Sequence, residues 1–63
     1  MNARQQTINS ILKQQGYTPI FRAIDQTIRD FKRLGYSREE IRDTLQEFCI
    51  DERLTNYIQE IGY

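Results

Sequence analysis

The chain has 63 residues, enough for one small domain and no more. Nine lysines and arginines balance nine aspartates and glutamates, and there is no histidine, no tryptophan, one cysteine and one proline. The lack of histidine removes histidine-based triads and histidine metal ligands. The single cysteine excludes an internal disulfide framework and a multi-cysteine zinc site.

A domain near this length buries only about 60% of its unfolded surface, so its stability is marginal. With no disulfide and no metal to help, self-association as a homodimer is expected. The longest apolar run, Phe48-Cys49-Ile50, is far too short for a signal-peptide core or a spanning helix. The expectation is a cytoplasmic protein without membrane contact, and the lone cysteine fits a reducing compartment.

The pattern predicts an all-α fold: one domain over residues 1–63, a compact bundle of three to four short helices. Three Gly-Tyr pairs punctuate it, at 16–17, 35–36 and 62–63. Glycine just past a helix end adopts the left-handed cap conformation at low cost, because it lacks a Cβ. The tyrosines at 17, 36 and 63 read as groups that pack on these caps.

The first helix is predicted over about residues 3–15, with Ile8, Ile11 and Leu12 as a short apolar stripe. The second is predicted over 19–34, with Thr18 as N-cap and Pro19 at the first helical position. At 100° per residue, Ile20, Phe21, Ala23, Ile24, Ile28, Phe31 and Leu34 fall within about 160°, the width of a core-facing helix. Tyr36 and Ile50 join the candidate core from the loops.

The third helix is predicted over 38–49. Ser37-Arg38-Glu39-Glu40 forms a capping box, in which the serine side chain accepts one orphan N–H and Glu40 reaches back to the serine N–H. Ile41, Leu45, Phe48 and Cys49 line one side, and Cys49 is expected to behave as a small buried hydrophobe. A fourth helix is predicted over 52–61 after Asp51, with Leu54, Tyr57, Ile58 and Ile61 facing inward. No glycine or proline separates helices three and four, so the sequence leaves open whether they are distinct.

The charge is segregated. Residues 1–38 carry seven cations against two anions, or +5, and residues 39–63 carry two against seven, or −5. On helix two, Arg22, Gln26, Arg29 and Arg33 lie within about 60°, opposite the apolar face. Arginine forks suit phosphates and carboxylates, so this is a candidate binding face for an acidic partner or nucleic acid. The competing reading is a solvated face with local pairs such as Asp25–Arg29. Helix three is the reverse: Glu39, Glu40, Asp43 and Glu47 form a candidate acidic face for a basic partner. The plain alternative is a solvated acidic face favoured by the helix dipole. Their spacing does not follow a calcium-binding EF-hand, and no metal is expected.

Two junctions have the length of a helix-turn-helix. At Gly35 the reading helix would be acidic and repelled by phosphate. At Gly16 it would be the basic helix two, whose Gln26 and arginines suit base edges. A membrane-surface role is not expected, because the apolar face of helix two is needed for the core.

The stretch Arg33-Leu34-Gly35-Tyr36-Ser37-Arg38-Glu39-Glu40-Ile41-Arg42-Asp43-Thr44-Leu45 resembles two families and covers about a fifth of the chain. Leu34-Gly35-Tyr36 looks like the Met-Gly-Phe/Tyr loop of UBA-like three-helix domains. Residues 34–41 are similar to the Leu-Gly-Phe-Ser-x-Glu-Glu-Ile junction of MerR-type regulators. The chain departs from both. It has Ile41, Leu54 and Ile58 where UBA-like domains usually place small residues, and it lacks the MerR-type reading helix and wing before the junction. The resemblance implies a compact helical fold that binds other macromolecules, and it carries over no functional residue.

An enzyme needs a nucleophile, an acid or base and a pocket. The candidate carboxylates sit on predicted solvent faces, and the glycines serve as caps rather than as a phosphate loop. The expected function is a small non-enzymatic helical protein-interaction module, a regulator or accessory subunit with no catalytic residue, cofactor or metal. The alternative is a dimeric DNA-binding transcriptional regulator using the basic face of helix 19–34.

Overall fold

The computed structural model of the chain describes residues 3–61, so the third Gly-Tyr pair, at 62–63, lies outside the described residues. Four α-helices follow in order: α1 (Ala3–Gln15), α2 (Thr18–Arg33), α3 (Arg38–Leu45) and α4 (Glu52–Glu60). A short 3-10 turn over Gln46–Phe48 follows α3, and the described residues hold no strand. The fold is the expected all-α bundle.

Helix α2 is the organising element, because it packs against α1, α3 and α4. Its apolar face supplies Ile20, Ile24 and Ile28 to a core completed by Ile8, Ile41, Leu45, Leu54 and Ile58. Ile24, Leu45 and Leu54 are sealed completely from solvent. Each such side chain contributes roughly 1.5–3 kcal/mol of burial. Ile8 is the one buried residue of α1, and Ile11 and Leu12 pack beside it against the core.

The junctions explain why the helices stop where they do. Gly16 and Gly35 both take positive φ, +80° and +89°, the left-handed conformation expected of capping glycines. After α2 the Tyr36 N–H bonds the Phe31 carbonyl and the Gly35 N–H bonds the Lys32 carbonyl, each at 3.1 Å. This is a Schellman motif, and its usual apolar contact is present, with the Tyr36 and Phe31 rings 5.0 Å apart. The capping box on α3 forms as expected: Glu40 N–H donates to Ser37 Oγ at 3.2 Å and Ser37 N–H donates to Glu40 Oε1 at 3.1 Å.

Several expectations need correction. Thr18 is the first helical residue rather than the N-cap; the cap position falls on Tyr17, which has helical dihedrals and makes no side-chain cap bond. The turn at Gly16 completes the reversal early, so the helix starts one residue sooner and Pro19 sits within the first turn. The third helix ends at Leu45, not at residue 49, and α4 closes at Glu60. Asp51 takes an extended conformation and its Oδ1 accepts the Leu54 N–H at 2.8 Å. A capping aspartate in that conformation cannot continue a helix, so α3 and α4 are separate.

Three residues of the expected core lie outside it, each near a helix end. Cys49 leaves the 3-10 turn with non-helical dihedrals (φ −84°, ψ 54°) and is exposed. Leu34 is 69% exposed and Tyr36 47% exposed. Leu34 occupies the C-cap of α2, and the apolar contact of the Schellman motif falls to Tyr36 and Phe31, leaving Leu34 without a place inside. Ala23 also faces solvent.

Candidate interaction surfaces

The basic face of α2 is assembled as the sequence predicted: Arg22, Gln26, Arg29 and Arg33 are all exposed on the outer side of the helix. Their surroundings differ from the expected local pairing. Asp30 Oδ1 accepts hydrogen bonds from Gln26 Nε2 at 2.9 Å and from Arg33 at 2.7 Å. Asp25 does not pair with Arg29; it accepts the Tyr57 hydroxyl at 3.0 and 3.1 Å. Arg22 and Arg29 therefore make no ion pair among the described residues. The two aspartates on the helix are held by other groups, which leaves two guanidinium groups without an ion pair among the described residues.

The acidic face of α3 is more heavily committed. Glu40 is locked in the capping box. Glu47, which lies on the 3-10 turn rather than on the helix, accepts from Arg4 of α1 at 2.7 Å. That bond and the nearby negative charge raise the Arg4 pKa further above its ordinary value. Asp43 lies 4.0 Å from its neighbour Arg42, and Glu39 is exposed. Half of the expected acidic face thus serves the fold. No group of three or more histidine, cysteine or carboxylate side chains converges as a metal site among the described residues.

An aromatic stack between the start of α2 and α4 was not expected from the sequence. The Phe21 and Tyr57 rings stack with centroids 4.0 Å apart, and Tyr17 stacks on Phe21 at 5.6 Å. The Arg53 guanidinium lies 4.4 Å above the Tyr17 ring, a cation–π contact. Both tyrosine hydroxyls end on carboxylates, Tyr17 on Asp51 at 2.7 Å and Tyr57 on Asp25. The hydrogen bond to Asp51 is the main reason the Tyr17 pKa is raised, with desolvation adding to it. For Tyr57, desolvation is the leading cause and the bond to Asp25 the second. With both hydroxyls and the inner ring faces engaged, the stack joins α4 to α2. The signal that could have revealed it was the four-residue spacing of Tyr17 and Phe21, which places them on one helical face.

A second unpredicted feature is an apolar groove of about 520 Å³ where α1, α2, α3 and the 3-10 turn meet. Ile8, Phe31 and Phe48 line it, together with Ala3 and the threonines Thr7, Thr27 and Thr44. Each threonine hydroxyl donates to the carbonyl four residues earlier in its own helix, at 3.0, 2.8 and 3.0 Å respectively. Each therefore brings a methyl group and no free donor to the groove. The Arg4–Glu47 ion pair also lines it and leaves that part of the groove without net charge.

No helix of the described residues is long and apolar enough to cross a membrane. No protein-family model, no curated protein and no solved structure matches the chain.

Proposed function

We propose that this chain is a small non-enzymatic helical interaction module, a regulator or accessory subunit that docks on an acidic surface of another protein through the outer face of α2. The observation that carries this reading is the pair Arg22 and Arg29, exposed and without an ion pair among the described residues while Asp25 and Asp30 are held by Tyr57, Gln26 and Arg33. Free guanidinium forks on a rigid helix are ready-made partners for carboxylates. The resemblance of residues 33–45 to modules that bind macromolecules points the same way. The module needs no cofactor, and a cytoplasmic setting suits it.

The acidic face of Glu39 and Asp43 is the lesser surface, since Glu40 and Glu47 are spent on the fold. The runner-up is a DNA-binding regulator that reads the duplex with α2. Exposed arginines without an ion pair among the described residues favour it. Against it, the Gln26 amide, the natural reader of adenine, is already bonded to Asp30.

Poly-L-glutamate and a short DNA duplex, each titrated at low salt, separate the two. The protein-docking reading expects poly-L-glutamate to bind, and binding to fall when Arg22→Ala is combined with Arg29→Ala. Tight duplex binding with a steep salt slope, about 0.9 per phosphate neutralised, supports the runner-up instead. Binding of both probes that ignores the double substitution removes α2 as the contact face.

A further inference from the structure

We propose that the chain forms a two-fold homodimer in which Leu34 of each copy inserts into the apolar groove of the other. Leu34 is a large aliphatic side chain that is 69% exposed, although a Schellman motif fixes the backbone around it. The cap draws its apolar contact from Tyr36 and Phe31, so Leu34 closes the helix through its backbone, by the N–H bond to the Asp30 carbonyl, and its side chain is left over. The groove is the complementary feature, an opening lined by methyl and aromatic groups with its hydroxyl donors already used.

The choice of a second copy as occupant rests on placement. Thr27 and Phe31 line the groove, and Leu34 comes three residues after Phe31, so it continues the same side of α2 one turn further on. A two-fold interface must be self-complementary, each copy offering the same patch as donor and acceptor of the contact. This patch carries both the projecting side chain and the recess. Charge permits the approach, because Arg4 is paired with Glu47 and Arg33 with Asp30 within each copy. The basic face of Arg22 and Arg29 lies on another side of α2 and stays free, so each dimer presents two such faces.

Sedimentation equilibrium over rising concentration, with and without added salt, tests the proposal together with an isotope-filtered nuclear Overhauser experiment on mixed labelled and unlabelled chains. The expected result is a dimer that resists salt, with intermolecular contacts from the Leu34 methyls to Thr7, Thr44 or Phe48. Leu34→Ser should raise the dimer dissociation constant by roughly a hundredfold or more, since two leucines are lost per dimer. A monomer up to millimolar concentration overturns the proposal. So does a dimer that ignores Leu34→Ser, or one dispersed by salt whose intermolecular contacts lie on the Arg22 face. The filtered spectra use the unaltered chain, so they decide the matter even where the variant fails to fold. None of these outcomes touches the poly-L-glutamate test of the α2 face.

Discussion

The Tyr17 hydroxyl donates a 2.7 Å hydrogen bond to Asp51 Oδ2 across 34 positions of sequence. The other oxygen of the same carboxylate accepts the Leu54 N–H and so caps α4. One side chain thus starts the last helix and holds it to the junction between α1 and α2. Asp51→Ala removes both functions and should cost about 1–2 kcal/mol by urea unfolding. Asp51→Asn keeps a good cap acceptor and should cost less. Equal losses for the two variants would show that the charge, not the cap, dominates.

The two bonded tyrosines give the fold an alkaline limit. Both pKa values are raised in the folded chain, so the native state holds these protons more tightly than the unfolded chain does. Stability from such groups is fully present below the unfolded tyrosine pKa, about 10, and is lost as pH rises through the folded value. Melting temperature measured from pH 8 upward should stay level and then fall above about pH 10. Replacing Tyr17 and Tyr57 together by phenylalanine should shallow that fall. An unchanged slope would mean that other groups set the limit.

Gly35 isolates a backbone effect. A Cβ built there meets nothing within 4 Å, so any cost of substitution comes from its φ of +89°. Gly35→Ala should cost roughly 1–2 kcal/mol, and Gly35→Asn less, because asparagine tolerates the left-handed region better. Denaturation curves of the two variants decide this. A cost near zero for alanine would mean that the turn can re-form differently.

The core and the exposed leucine should respond oppositely. Ile24→Ala opens a hole in a site sealed from solvent and should cost about 2–5 kcal/mol. Leu34→Ala should change monomer stability by no more than about 0.5 kcal/mol, because the side chain already faces water. Unfolding of both variants at low protein concentration checks the pair. A large loss for Leu34→Ala would restore it to the core.

The helices were legible in the sequence because their ends are chemically marked. Ser37 and Glu40, Gly16, Gly35 and Asp51 each do what their residue type favours. Three-and-four spacing likewise picked out all eight buried residues of the core. Periodicity failed at Ala23 within α2 and at the ends of helices. Cys49 continues an apolar pattern past the point at which the backbone ceases to be helical, whereas Leu34 keeps helical dihedrals and the N–H bond to the Asp30 carbonyl but sits at the last turn of α2 with its side chain exposed. The interaction surfaces were legible in part. The basic face of α2 follows from its angles, but the diversion of Asp25 to Tyr57 and of Glu47 to Arg4 depends on contacts 32 and 43 positions apart. No local spacing encodes those contacts, nor the groove built from four elements.

Contact through the outer face of α2 is the premise of the proposed role. Amide shift mapping of the isotope-labelled protein during a poly-L-glutamate titration probes it without intermediaries. The expected shift changes centre on Arg22, Gln26, Arg29 and Arg33, and both salt and the combination of Arg22→Ala with Arg29→Ala abolish them. Changes centred on the aromatic stack or the apolar groove, or no changes at low salt, would contradict a contact through α2.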